Sequence, residues 1–228
     1  MAPSAYSANT ASTPTLTHQP HTAPFLARLA AFILHAPLPT VKSVLRSSSV
    51  CNSDSDSDSA FTSACASVNP NSKLLRSDAA TSAMCQRLLR LLNELILKFP
   101  RADIPSPDTI PLALCLLYHY RMRRSDKAPV DAPCMLIAIA VHIAYKFLTN
   151  DFQYVNLQHW ACPLELNRQG CLDAERMFLG AIDYRVWVGQ EEYLELKGRF
   201  GLLWDQVFKK AARPVPPPFL LKGLGRMG

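Results

Sequence analysis

The chain has 228 residues, 49% of them hydrophobic, which suffices for one domain of about 130 residues flanked by tails. Its formal net charge is +6, and the Lys and Arg residues are spread along the chain without a dense basic run, so we expect no nucleic-acid partner. The most apolar stretch, 134–148, is too short to span a membrane and includes His142 and Lys146, so we expect no membrane partner.

Residues 1–83 are predicted to be mostly disordered. The first part of this region, 1–53, contains no acidic residue, has few bases and is rich in Ser, Thr, Ala and Pro. That composition is typical of a disordered tail, and it also loosely fits a mitochondrial transit peptide. The apolar residues of 24–37 could form a short helix within it.

Two changes in composition set the limits of the predicted folded unit. The segment 47–63 is rich in Ser and Asp and too polar to bury a core, so we interpret it as a linker whose Ser-Asp repeats could be kinase sites. After residue 211, prolines and glycines end the helical pattern. The sequence therefore predicts one helical domain over 84–211 and a short Pro/Gly-rich tail over 212–228.

Five helices are predicted within this domain, and the first two each have an apolar stripe. The first helix covers about 84–98 and ends at Pro100. Its stripe consists of Leu88, Leu91, Leu92, Leu95, Ile96 and Phe99. The second helix covers about 108–123 and begins in a turn marked by prolines. Its face consists of Leu112, Cys115, Leu116 and His119.

The third predicted helix begins at Pro133 and ends near residue 148. It is apolar on all sides, which is typical of a central helix that other helices surround. A short helical piece around 157–160 follows it.

The fourth and fifth predicted helices complete the domain. Asn167 is a good N-cap for the fourth helix, which ends near residue 183. Its apolar stripe consists of Cys171, Ala174, Phe178, Leu179 and Ile182. The fifth helix has Glu191 and Glu192 near its N-terminus and continues to Phe208. Because no alternating strand pattern competes with these helices, we predict an all-α fold.

Two charged residues interrupt the apolar pattern of this domain. On the third helix, His142 and Lys146 lie on one line with Ala138 and Thr149, and on the fourth helix Glu175 lies inside the apolar stripe. A buried charge is costly without a partner. Lys146 and Glu175 could therefore pair with each other, or Lys146 could extend to solvent from a helix end. Alternatively, both mark the rim of a surface that another protein buries.

Three segments carry a resemblance to a known family. In chain order they read ALCLLYHYR, CMLIAIAVHIAYKFLTND and AERMFLGAIDYRVWV, and a Glu-Glu-Tyr helix start follows. This order and spacing resembles the cyclin box, and the chain is most similar to the fungal Pho-type or Pcl-type cyclins, which are related to cyclins P, U and Y. The resemblance covers about 84–205.

The resemblance implies a single five-helix cyclin box and a non-catalytic role. The protein would bind and activate a cyclin-dependent Ser/Thr protein kinase in the nucleus, the cytoplasm or both, in the cell cycle or in phosphate signalling. The family's Lys and Glu that contact the kinase fall on Lys146 and Glu175. The implied kinase-binding residues are Lys146, Glu175, His142, Phe147 and Leu179.

The sequence offers no catalytic arrangement. The seven cysteines form no CxxC pair and the six histidines no metal-binding spacing, so we expect reduced packing thiols and no metal. The segment GLGRMG (223–228) has the spelling of a dinucleotide loop but no strand before it. We therefore predict no enzyme activity, cofactor or small-molecule substrate. Two alternatives stay open: a cyclin-fold module that contacts nucleic acid as a transcription factor does, and a mitochondrial helical protein.

Overall fold

The structure is a computed structural model that describes residues 22–46, 57–66, 68, 79–98, 106–124, 132–149, 160–161 and 166–209. This part of the chain contains eight α-helices and no strand, which confirms the predicted all-α class. A π-helical segment, Trp204–Phe208, continues directly from the last helix. The helices are α1 (Ala23–His35), α2 (Leu38–Leu45), α3 (Ser57–Ala66), α4 (Ala79–Lys98), α5 (Thr109–Arg123), α6 (Pro133–Leu148), α7 (Arg168–Ala181) and α8 (Gln190–Leu203).

Helix α6 lies at the centre of the bundle, as its apolar character on all sides predicts. Every residue in 136–145 is buried. Helix α5 makes its most extensive packing contact, and α1, α4 and α7 also pack against α6. A helix without a polar face is stable only when neighbours cover it all round, and these four helices do so.

Helix α1 is almost as deeply buried as α6. The side chain of Thr22 caps it, because Oγ1 accepts a hydrogen bond from the Phe25 backbone nitrogen at 3.4 Å. Pro24 occupies its first turn, where a missing N–H group is harmless. Its buried side chains pack against α4, α5 and α6, and they are Phe25, Leu26, Ala27, Leu29, Ala30, Ala31, Phe32, Ile33 and Leu34.

The domain boundary predicted at residue 84 therefore falls inside the bundle. Val41 and Val44 of α2 belong to the same hydrophobic core as Ile139 of α6. The segment 47–63, interpreted as a linker, overlaps α3. The average composition of 1–53 suggested disorder because many Ser, Thr and Pro residues lie on both sides of the apolar residues of α1. These polar residues lower the average hydrophobicity of the whole region.

Helix α5 also differs from its prediction, which gave it one apolar face. Its residues 109–118 are all buried. The reason is that α1 packs against α5 in addition to α6 and α8.

The α4 helix begins at Ala79, five residues before the predicted start at 84. The predicted piece 157–160 lies outside the described residues, except for Trp160.

Polar contacts join α1, α2 and α3 to α8 and the π-helical segment. Arg199 of α8 donates to the Val44 backbone oxygen at 3.2 Å, and its guanidinium lies 5.4 Å from the centre of the Phe61 ring. Arg28 of α1 donates to the Phe208 backbone oxygen at 3.3 Å. These contacts connect α1, α2 and α3 to the C-terminal part of the described chain.

Substitution of Ile33 by Asp should unfold the domain, and substitution of Ile139 by Asp should do so to the same extent. Both side chains are at most 1% exposed, and an unpaired buried carboxylate costs several kcal/mol, which is comparable to a typical domain stability of about 5–15 kcal/mol. Melting followed by circular dichroism measures the effect. Met177→Asp is the matched control, because Met177 is 62% exposed and its variant should melt close to the parent. If the Ile33→Asp variant melted like the parent, α1 would not be part of the hydrophobic core.

Candidate functional site

The candidate site lies where the C-terminal end of α6 packs against α7. Asn167 caps α7, because its Oδ1 accepts a hydrogen bond from the Gly170 backbone nitrogen at 2.7 Å. The stripe predicted for this helix is buried at Cys171, Ala174, Phe178 and Ile182. Glu175 follows Ala174 and lies between buried neighbours, so its carboxylate is directed toward α6.

Three polar side chains meet at this packing surface, and we call them the charged cluster: His142, Lys146 and Glu175. The Lys146 ammonium donates to Glu175 Oε1 at 2.6 Å. The other carboxylate oxygen, Oε2, lies 3.4 Å from His142 Nε2, which is long for a hydrogen bond but close enough for electrostatic attraction. The pairing of Lys146 with Glu175, which the sequence left open, is therefore present in the structure.

Burial falls steadily across the charged cluster toward solvent. The side chain of His142 is 1% exposed, that of Glu175 is 12% exposed and that of Lys146 is 31% exposed. Lys146 is one turn from the end of α6, so its long aliphatic stem can lie along the protein while the ammonium stays at the edge. The cluster thus presents a cation at the surface and keeps the anion mostly covered.

An aromatic residue covers the buried end of the cluster. The Trp160 ring lies 4.9 Å from the His142 ring and 5.5 Å from the Tyr145 ring, in both cases tilted. Trp160 is 1% exposed. The indole excludes water from the imidazole and thereby keeps His142 in an apolar environment.

This environment shifts the pKa values of two members of the cluster, His142 and Glu175. The His142 imidazole favours the charged form of the neighbouring carboxylate, and with Lys146 it outweighs burial and lowers the pKa of Glu175 to about 2. Burial lowers the pKa of His142 below its ordinary value of 6.5, against the attraction of Glu175. At neutral pH the cluster consequently holds a neutral imidazole beside a carboxylate.

Two exposed aromatic side chains lie beside the charged cluster. Phe147 follows Lys146 on α6 and is 41% exposed, while Trp187 is 74% exposed. Their rings meet edge to face with centroids 5.9 Å apart. Phe147 was predicted as a site residue, but Trp187 was not. The only signal for Trp187 was its place between two valines in RVWV, where alternate residues of an extended segment face opposite sides.

A tight turn after α7 positions Trp187. Asp183 and Tyr184 both have left-handed backbone conformations, with φ of 48° and 57°. The Tyr184 backbone nitrogen donates to the Leu179 oxygen at 2.7 Å, and Asp183 forms an ion pair with Arg123 of α5. The chain then runs through residues 185–189 without regular secondary structure, and there Val188 is buried while Trp187 faces solvent.

The structure brings together four of the five predicted site residues. His142, Lys146 and Glu175 form the charged cluster, and Phe147 lies next to it along α6. Leu179 is half-buried and packs against the hydrophobic core one turn after Glu175. The cluster has no open substrate position between its members, since the carboxylate is already in contact with both nitrogen groups.

The described thiols have the character of packing residues. Burial raises the pKa of Cys65 to about 11 and that of Cys85 to about 12, so neither is a ready nucleophile at neutral pH. Within the described residues, no three His, Cys, Asp or Glu side chains are placed to hold a metal ion. In the same part of the chain, no helix combines the length and the apolar character that crossing a membrane requires.

Comparison of the chain with protein-family models, with curated proteins and with solved structures found no match.

Reversal of either charge of the Lys146–Glu175 pair should destabilise the fold. Lys146→Glu brings two carboxylates together and Glu175→Lys places two cations together in a half-buried site, so we expect losses of about 1–3 kcal/mol for each. The double reversal should recover part of the loss, with a coupling energy above about 1 kcal/mol. Urea unfolding of the four proteins measures the coupling.

The exposed pair formed by Arg176 and Asp173 provides the control cycle. Its side chains are 68% and 56% exposed and 3.7 Å apart, so reversal there should give a coupling near zero. If the Arg176–Asp173 pair had the same coupling energy as the Lys146–Glu175 pair, the partial burial of the charged cluster would have no effect on its strength, contrary to this prediction.

The free energy of unfolding should decrease as the pH falls below about 6.5, because His142 is buried in its neutral form. Because the folded state resists protonation of this imidazole, the unfolded state binds more protons below pH 6.5, and stability should decrease by up to about 1.4 kcal/mol per pH unit there. His142→Gln should remove this slope between pH 6.5 and 5. Glu175 acts in a separate window: its stabilising contribution is present above pH 4.5 and is lost toward pH 2. An unchanged slope in His142→Gln would refute the assignment.

Proposed function

We propose that this protein is a non-catalytic regulatory subunit that binds and activates a cyclin-dependent Ser/Thr protein kinase. The sequence resemblance over 84–205 supplies the class of partner. The observation that carries the proposal is the exposed Phe147–Trp187 pair beside the charged cluster. The resemblance implies a kinase contact for Phe147 and for the cluster, and Trp187 extends this surface through its contact with Phe147.

The aromatic pair has the properties of a protein-binding anchor. Exposed aromatic residues of this size are enriched at protein interfaces, where a few of them carry most of the binding energy. Phe147 and Trp187 are in contact with each other, so their rings are already arranged before a partner arrives. A partner that covers both rings gains apolar burial without ordering them first.

The internal ion pair is compatible with a kinase contact. An ammonium group has three N–H donors, and Glu175 engages the ammonium of Lys146 through one oxygen. The 31% exposure of Lys146 leaves it accessible to backbone carbonyl groups of a partner. In this arrangement Glu175 holds the Lys146 ammonium in a fixed position, and the kinase would bind the ammonium there.

The proposed mechanism is a shift in the population of kinase conformations. The domain would press on the mobile regulatory helix of the kinase and help form the Lys–Glu ion pair that the kinase requires for phosphoryl transfer. The binding free energy would favour the active conformation. A nuclear or cytoplasmic location, and a role in the cell cycle or in phosphate signalling, belong to the same proposal.

Affinity capture with the full chain, followed by mass spectrometry, tests the partner. We expect a cyclin-dependent kinase to be captured by the parent, and the double variant Phe147→Ala/Trp187→Ala to lose roughly 2–4 kcal/mol of binding, or about 30- to 1000-fold in affinity. Both substitutions are at exposed positions, so melting curves should stay close to the parent.

Met177→Ala is the matched control, because Met177 is 62% exposed and lies on the opposite face of α7 from Glu175. It should capture the kinase as the parent does. The captured kinase should phosphorylate a peptide substrate faster when the parent protein is added. Capture of no kinase, or capture without any change in kinase activity, would overturn the proposal.

A further inference from the structure

The large exposed aromatic side chains of the described residues are concentrated near the charged cluster. Phe147 is 41% exposed, and the turn after α7 contributes Tyr184 at 67% and Trp187 at 74%. The other large exposed apolar side chains of the described chain are aliphatic, and they are Met177, Leu194 and Leu202. Exposed apolar residues that are grouped in this way mark an interaction surface more often than single ones do.

Arg185 lies between Tyr184 and Trp187 in the sequence, and its side chain is exposed. Its backbone nitrogen donates to the Ile182 backbone oxygen at 3.0 Å, which holds the chain in the turn. Among the described residues, the guanidinium group of Arg185 has no hydrogen-bond or ion-pair partner. The turn therefore positions the backbone of Arg185 and leaves its cation available to another molecule.

The other charged side chains of the described residues at this surface are already paired. Lys146 donates to Glu175 at 2.6 Å, and Arg123 forms an ion pair with Asp183. Each carboxylate has a cation of its own, so Arg185 is one cation in excess. A partner that covers the surface would bury this guanidinium, and a buried charge is costly unless a group of opposite charge contacts it. The partner must therefore supply that group.

The guanidinium group favours a carboxylate as its partner. It is planar, and its N–H donors form a fixed fork that matches the two oxygens of a carboxylate. When a partner covers Tyr184 and Trp187, water leaves the surroundings of such a pair and the attraction becomes stronger. Tyrosine, tryptophan and arginine are also the residue types that most often carry the binding energy of protein interfaces. Residues 184–187 contain all three.

We propose that Arg185 binds an Asp or Glu side chain of the kinase, and that apolar side chains next to this carboxylate cover Tyr184 and Trp187. The inference rests on the proposed function and names the chemistry of the kinase surface that this protein selects. A kinase with a basic or an apolar residue at that point would leave the Arg185 guanidinium buried without a partner. Arg185 thus determines which kinases bind.

Titration calorimetry with the purified kinase that the parent chain captures tests the proposal. Arg185→Ala should lower the affinity at least about tenfold, and Arg185→Glu at least about 100-fold, because the second change brings two anions together. Arg185→Lys keeps the charge but loses the fork of donors, so its affinity should lie between those of the parent and Arg185→Ala. The side chain is exposed, so all three variants should melt close to the parent.

Arg168 provides the matched control. It is also exposed and has no hydrogen-bond or ion-pair partner for its side chain within the described part of the chain. It is the first residue of α7, about 20 Å from the turn at the other end of this helix. Arg168→Ala and Arg168→Glu should therefore bind the kinase as tightly as the parent does.

Carbodiimide cross-linking identifies the carboxylate directly. The reagent activates a carboxyl group, which an adjacent lysine amine then attacks to form an amide bond. In the complex of the kinase with Arg185→Lys, peptide mass spectrometry should find position 185 joined to an Asp or Glu of the kinase. The complex with Arg168→Lys should give no such product at position 168.

The outcomes distinguish this proposal from the proposed function. Capture of no kinase would overturn both. A captured kinase that binds Arg185→Ala as tightly as the parent would overturn this proposal alone, as would a cross-linked complex without a product at position 185. If phosphatase treatment of the kinase abolished the effect of Arg185→Ala, the ligand would be a phosphate group, and the assignment of a carboxylate would be wrong.

Discussion

The burial of α6 on all sides is the constraint on which the rest of the bundle depends. Ten consecutive residues of this helix, 136–145, are buried, so helices must enclose it completely. Helices α4, α5 and α7 cover only part of its circumference, and α1 supplies the remaining neighbour. The N-terminal helix is for this reason part of the core, although it lies in the region whose composition suggests disorder.

The same constraint explains the charged cluster. A helix that must be covered all round has little room for polar side chains, and His142 and Lys146 are its main exceptions among the described residues. Glu175 of α7 contacts both side chains, and these contacts compensate the cost of burying its carboxylate, which is 12% exposed. The same contact holds the Lys146 ammonium at the edge of the packing surface. One ion pair therefore stabilises the packing of α6 against α7 and fixes a cation at the surface. The two interpretations that the sequence left open, an internal pair and an interface, are compatible in this geometry.

The sequence predicted α5 to α8 well because each begins at a proline, a cap or a turn and carries apolar residues at helical spacing. It did not place α1 in the bundle, since the neighbours of α1 in the sequence are polar and rich in proline. It identified Lys146 and Glu175 as unusual but could not decide that they touch, because spacing within one helix does not give distances between helices. Trp187 was not identified because its exposure depends on the left-handed turn at Asp183 and Tyr184, and a tyrosine rarely adopts that conformation.

The turn at Asp183 and Tyr184 also affects how the Phe147–Trp187 surface would bind the proposed partner. The irregular segment 185–189 is connected to α5 on both sides: Asp183 pairs with Arg123 before it, and Glu192 pairs with His119 at 2.9 Å after it. Val188 anchors its middle in the core. Trp187 thus projects from a short segment with fixed ends, so less conformational entropy is lost when a partner covers the indole than on a free loop. The left-handed conformations of Asp183 and Tyr184 cost backbone energy, and the contacts on both sides of the segment compensate this cost.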